Sequence, residues 1–203
     1  MSNGLSYLLK GGMVYDGTGG PPSHADIAIS GDKIARIGNN LEIAFKTIDI
    51  SGLSVAPGFI DTHGHSEFSL LTETPEGKVF QGVTTEINGN CGLSAAPLLG
   101  ETLKQREKDI EQTGARWSDF GEYFRILEEK GLFMNFATLA GHGNIRASVI
   151  GYSNRRPDGR EMEKMKGLLD EAINAGAIGL STGLIYPPGI YSDTEELTGL
   201  SAY

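Results

Sequence analysis

Apolar positions fall into two textures along the chain. From Leu5 to Ile50 they form short runs cut by turn residues: Tyr7-Leu8-Leu9, Met13-Val14-Tyr15, Ala25 to Ile29, Ile34-Ala35-Arg36-Ile37 and Ile48-Asp49-Ile50. The stretch Asp16 to Pro22 and the pair Gly31-Asp32 separate them with residues that favour hairpins and tight turns. This punctuation predicts a small antiparallel β-sandwich portion over residues 1–55. After Pro57, apolar strands alternate with longer segments of helical periodicity, the arrangement of βα units around a parallel sheet. The candidate strands are Gly58 to Asp61, Val83 to Ile87, Met134 to Leu139 and Ala177 to Leu180. The clearest helix opens with Asp158 as N-cap and Glu161 three residues on. It then carries Met162, Met165, Leu168, Leu169, Ala172 and Ile173 as one stripe and stops at Gly176. A second helix spans Ser118 to Lys130, with Phe120, Tyr123, Phe124 and Leu127 on one face, and ends at Gly131. The polar run Lys104 to Asp109 reads as a solvated helix or loop. The fold class expected is α/β, with residues 56–203 forming βα units of a barrel.

Side chains able to do chemistry gather where these strands end. Asp61-Thr62-His63-Gly64-His65 closes the first candidate strand of the barrel. If the strand continues to His65, alternation puts Asp61, His63 and His65 on one face, and two imidazoles point together. In a barrel that face opens at the mouth where ligands bind, so a metal pair is expected at His63 and His65. Cys91 follows the next strand in Asn88-Gly89-Asn90-Cys91-Gly92. Burial is the common fate of a lone cysteine, but a Gly/Asn turn at the same mouth favours a thiolate ligand. The later strands lead into Gly141-His142-Gly143-Asn144 and into Ser181 to Gly189, both expected as loops at that mouth. His142 is read as a histidine supporting a ligand from behind. Tyr186 is either a substrate contact or an amphipathic cap on the sheet. Arg146 is the nearest cation for a substrate carboxylate, while His24 and Trp117 are assigned to structure.

Composition narrows the partners. The chain of 203 residues is 39% hydrophobic and 21% charged, which argues against both disorder and a membrane-embedded protein. Seventeen Lys plus Arg against 26 Asp plus Glu give a net charge of −9, which disfavours nucleic acid and anionic lipid. Met1-Ser2-Asn3-Gly4 lacks the layout of a secretion signal and no apolar run is long enough to span a bilayer, so a cytoplasmic location is expected. One cysteine excludes an intramolecular disulfide. A complete (β/α)8 barrel takes roughly 250 residues, so a barrel sharing this chain with another domain is expected to be incomplete.

These motifs resemble the amidohydrolase superfamily and, within it, the N-acyl-D-amino-acid deacylases, or D-aminoacylases. The resemblance runs through Gly11 to Gly19, Ala56 to His65, Gln81 to Thr85 with Asn90-Cys91-Gly92, Gly141-His142-Gly143 and Gly176 to Gly189. It implies a zinc enzyme with a β-sandwich beside a TIM-like barrel. His63 and His65 match the family's first metal pair. Cys91 matches the cysteine that stands in for the bridging carboxylated lysine or glutamate of other amidohydrolases, and Tyr186 matches a tyrosine near the substrate carboxylate. The implied reaction is hydrolysis of the amide of a small N-acyl-D-amino acid. It also calls for two later histidines and a general acid/base aspartate, expected beyond Tyr203, so the chain reads as an N-terminal portion with little turnover alone. The alternatives are a cyclic-amide hydrolase of the dihydroorotase or hydantoinase kind, disfavoured by the absence of Lys or Glu after Ala177 to Leu180, and a non-catalytic metal-binding fragment.

Overall fold

A computed structural model describes residues 6–41, 46–73 and 76–202. Leu5, the Met1 to Gly4 segment and Tyr203, used in the sequence reading, lie outside the described residues. The chain divides into two compact units, Met1–Gly58 and Phe59–Tyr203.

The first unit is a five-stranded sheet of β1 (Tyr7–Val14), β2 (Ser23–Ser30), β3 (Lys33–Gly38), β4 (Lys46–Asp49) and β5 (Ser54–Val55). The strand order is β3-β2-β1-β4, with β5 also pairing β1. The runs on either side of Gly11-Gly12 belong to one strand with a register shift between Leu9 and Gly12. Gly11 takes φ +79° there and donates its N–H to Asp26 Oδ1 at 2.9 Å, so a glycine bulge re-aims the strand instead of ending it. Pairing of β1 with β2 and of β2 with β3 is antiparallel as expected, but β1 runs parallel to both β4 and β5. The sheet is therefore mixed. Both faces carry buried residues: Leu8 and Ala28 pack with Leu41 on one, and Val14, Ala25 and Ile27 cluster on the other.

The second unit carries the parallel strands. β6 (Phe59–Asp61), β7 (Val83–Asn88) and β8 (Asn135–Thr138) form one sheet, and β9 (Ala140–Gly141) pairs in parallel with β10 (Leu180–Ser181). Only Leu139 separates β8 from β9. Hydrogen bonds from Ile178 N–H to the Thr138 carbonyl (2.8 Å) and from Ala140 N–H to Gly179 (2.8 Å) carry the pairing across the break. Four strand positions thus run side by side, and β10 begins later than the expected Ala177. Two single-turn helices, α1 (Ser69–Thr72) and α2 (Glu76–Val79), lie between β6 and β7. Then come α3 (Gly100–Thr113), α4 (Phe120–Lys130), α5 (His142–Ile150), α6 (Gly159–Ala175) and α7 (Thr194–Ser201).

Side-chain caps set the starts of α4 and α6. Asp158 and Glu161 form the expected reciprocal cap of α6. In α4 the cap is Asp119, one residue later than expected, because its carboxylate accepts the Glu122 N–H while Ser118 donates to the Glu122 side chain. The apolar faces of α4 and α6 meet around Trp117, Phe120, Tyr123, Leu127, Met165 and Leu169. The Lys104 to Asp109 run lies within α3, which buries only Thr102 and Ile110. The largest departure is α5: the expected loop after Gly141 is a helix beginning at His142. Ile145, Ala147 and Ile150 are buried, but so are His142, Asn144 and Arg146, and a helix covered on every side shows no amphipathic stripe. Among the described residues, no helix is long and apolar enough to cross a membrane.

Candidate metal centre

The strand β6 stops at Asp61, so the two histidines are not presented by strand alternation. Asp61 turns instead to Lys78, whose Nζ lies 2.8 Å from Oδ2, and accepts the His63 N–H at 3.1 Å. The hydrogen bond from Lys78 and that from the His63 backbone hold the Asp61 carboxyl below its usual range. The turn beyond β6 is seated on the end of β7. Gly64 donates its N–H to the Ile87 carbonyl at 2.9 Å, and Ser66 donates its N–H to Asn88 Oδ1 at 2.7 Å. A β-carbon at Gly64 would lie 2.0 Å from Glu86 Oε1, so only glycine allows the turn to settle this closely.

Cys91 stands in the turn after β7, at φ +57°. Its Sγ lies 3.2 Å from His63 Nε2, and the His63 and His65 ring centroids are 5.3 Å apart. One donor atom from each of His63, His65 and Cys91 lies within 4.8 Å of the others. Two imidazoles and a sulfur are the donor set a borderline-soft divalent ion such as zinc takes. With bonds of roughly 2.0–2.3 Å to a shared ion, neighbouring donors sit about 3.3–3.7 Å apart, which this cluster can meet with small side-chain rotations. Both histidines are exposed and Cys91 is half-buried, so the cluster is reachable from solvent.

Beside it is a cleft of about 360 Å³ lined by His65, Glu67, Phe68, Cys91, Arg106 and Tyr186 among others. Burial pushes the Glu67 carboxyl up, against the hydrogen bond from Gly89 and the charges of His65 and Arg106. The Arg106 guanidinium sits 5.3 Å from the Phe68 ring centroid and bonds Asp109 at 2.9 Å. Sequence reading missed both residues; Arg106 was hidden in the polar run of α3.

Tyr186 reaches the cluster through its hydroxyl, which donates to the Cys91 carbonyl at 2.5 Å. Burial, with the nearby Cys91, pushes its phenol pKa up. The structure takes His142 and Arg146 elsewhere. Both are fully buried in α5, where His142 Nε2 lies 2.8 Å from Glu196 Oε1 and Arg146 pairs with the other oxygen of the same carboxylate. Arg146 also donates to the carbonyls of Arg155 (2.7 Å) and Ser153 (3.2 Å). A guanidinium enclosed in this way has no free face for a substrate, which corrects the expectation of a carboxylate contact. Glu196 was legible only as an acid at the start of the last helix. Burial would raise its carboxyl, but the hydrogen bonds from His142 and Arg146 prevail and hold it below the usual range.

Residues 46–200 match the model of the Amidohydrolase family. The chain belongs to this family. It is 39% identical over 206 residues to an N-acyl-D-glutamate deacylase of Alcaligenes xylosoxydans, covering 99% of this chain and 42% of the relative. A D-aminoacylase structure described for its binuclear metal centre superposes with TM-score 0.88 at 37% identity, over 97% of this chain and 42% of that one. An N-acyl-D-glutamate deacylase from Bordetella bronchiseptica, solved with zinc and a phosphonate inhibitor, superposes with TM-score 0.84 at 35% identity and the same coverage. This amidohydrolase chain thus spans about two-fifths of the length of the relatives it matches. Its α/β architecture corresponds to the β-sandwich and the first strands of their barrels.

Proposed function

We propose that the protein to which this chain belongs is a zinc-dependent hydrolase of the amide bond in N-acyl-D-amino acids. The observation that carries the reading is the convergence of His63, His65 and Cys91 at the strand ends of a parallel sheet, open to a cleft. The names of the similar proteins supply the substrate class. His63, His65 and Cys91 would hold a zinc ion, which would supply Lewis acidity toward the scissile carbonyl and make water acidic enough to act as a nucleophile near neutral pH. The chain's own residues provide the rest of the site. Arg106, at the edge of the cleft, takes the substrate carboxylate in place of Arg146, since a guanidinium offers a planar fork of donors to a carboxylate. Tyr186 lines the same cleft, but its one proton is committed to the Cys91 carbonyl. The cyclic-amide alternative lacks support in the site, where β10 ends at Ser181 with no lysine or glutamate to bridge a second ion.

The test is release of free D-amino acid from N-acetyl-D-amino acids by the full-length gene product, with L-enantiomers and a cyclic dihydropyrimidine in parallel. Turnover confined to the D-series, lost on chelation, regained with zinc and lowered at least about 10-fold by His65→Ala, is the expected result. Zinc uptake by an intact full-length protein that hydrolyses none of the D-substrates would overturn the assignment.

A further inference from the structure

Resting on the metal-centre reading above, we infer that Ser181 and Tyr186 are positioning residues, holding the cysteine turn in the one conformation that aims Cys91 at the histidines. The turn needs holding. A residue with a β-carbon at φ +57° sits in the left-handed region, which L side chains disfavour, and such a conformation persists only where the surroundings over-determine it.

Two hydroxyls from a distant part of the chain supply that constraint. Ser181, at the end of β10, accepts the Gly92 N–H at 2.9 Å and donates to the Gly89 carbonyl, so one oxygen ties the two ends of the turn together. Tyr186 donates to the carbonyl of Cys91 itself. With Gly89, Cys91 and Gly92 each engaged, rotation of the Cys91 backbone out of the left-handed region breaks at least one of these bonds. The approach is made possible by glycines. A β-carbon at Gly183 would lie 2.0 Å from the Cys91 carbonyl oxygen, and one at Gly141 would lie 2.5 Å from the Gly92 carbonyl oxygen. The turn therefore reaches past β9 to touch β10 directly.

The inference is tested with Co2+ as the probe in the full-length gene product, reading metal affinity and the thiolate-to-cobalt charge-transfer absorption. Cys91→Ala marks which part of the absorption belongs to Cys91. Ser181→Ala and Tyr186→Phe each remove one hydroxyl, and each is expected to weaken Co2+ binding about 10–100-fold and to diminish the Cys91 band. Ser181→Thr, which keeps the hydroxyl, is expected to restore both. The unfolding midpoint of the metal-free protein separates this from simple destabilisation, which would move the midpoint and leave the band of the folded fraction intact. If the unsubstituted protein shows no Cys91-dependent band, the metal centre itself is refuted. If it shows the band and both hydroxyl deletions keep its intensity and affinity, the inference alone is overturned. Should Ser181→Ala fail to fold, Tyr186→Phe decides in the same way.

Discussion

Replacing Arg146 by Met separates a structural from a substrate-binding role for this residue. The guanidinium is fully buried, as are its partner Glu196 and His142, which holds the other oxygen of that carboxylate. Met approximates the length of the side chain but leaves the Glu196 carboxylate enclosed, with His142 as its remaining partner. Breaking a buried ion pair by removing one member costs about 3–5 kcal/mol, because the surviving charge has lost water and gained nothing in return. For a domain of ordinary stability, about 5–15 kcal/mol, this is a large fraction of the total. With a urea dependence of about 2 kcal/mol per molar, the unfolding midpoint falls by about 1.5–2.5 M. The double variant Arg146→Met with Glu196→Leu removes both charges and should recover most of the loss. Urea unfolding followed through Trp117 fluorescence reads each protein. A loss below about 1 kcal/mol for the single variant, or a double variant no better than the single, would refute the reasoning. A substrate contact would instead leave the midpoint in place and raise KM.

Three further outcomes are expected. Between about pH 4.5 and pH 2 the protein should lose stability progressively. The Arg155 hydrogen bond and the Asp158 backbone N–H depress Glu161 from 4.5 to about 2, and Glu196 is also held low. Stability from a depressed carboxyl is complete above its unfolded pKa and vanishes as pH falls through the folded one. Glu161→Gln should flatten this part of an unfolding-against-pH curve, and an unchanged slope would remove Glu161 from the account. Gly183→Ala would force a β-carbon to 2.0 Å from the Cys91 carbonyl oxygen and 2.5 Å from the Tyr186 hydroxyl, an overpacking cost of about 1–3 kcal/mol. Reduced stability together with weaker metal uptake is the expected result, and retention of both would contradict the close approach. Asp158→Ala deletes the cap of α6 and should lower stability by about 1 kcal/mol in thermal unfolding, a loss that Asp158→Ser largely avoids.

Much of the fold was legible because it depends on patterns that repeat within one element. The capping residues and apolar stripe of α6 and the runs that became β2, β3, β7 and β8 are of this kind. What stayed hidden depends on the rest of the chain. Gly11-Gly12 falls between two separate apolar runs, and a bulge and a turn use the same residues; the register shift and the Asp26 side chain, which receives the Gly11 N–H, show one continuous strand. Parallel pairing of β1 with β4 was invisible because side-chain alternation is the same in both directions of pairing. Helix α5 carried no stripe because the protein covers it on all sides, burying Arg146 and His142 along with Ile145.

The candidate site divides along the same line. His63, His65 and Cys91 could be picked out because imidazole and thiol are rare and chemically distinctive, and because strand ends gather at one mouth whatever the details of the loops. The reason first given for the histidine pair does not survive, since β6 ends at Asp61 and that side chain turns to Lys78. The pair converges because Gly64 lets the turn settle on Glu86 and because Asn88, at the end of β7, and Asn90, just beyond it, hold the turn's backbone. Side chains that hold the cysteine turn leave no such mark in the sequence. Ser181 lies 89 residues from the N–H it accepts, and serine at a strand end is ordinary. Its position had drawn notice only for lacking a bridging acid. In the fold the absence and the presence are connected: a short hydroxyl there lets the cysteine turn come within hydrogen-bonding distance of β10, ground that a lysine or glutamate would occupy with its own side chain. Substituting Ser181→Glu should therefore displace the Cys91 turn and not supply a bridging ligand, and the loss of the cysteine-dependent cobalt band would show it.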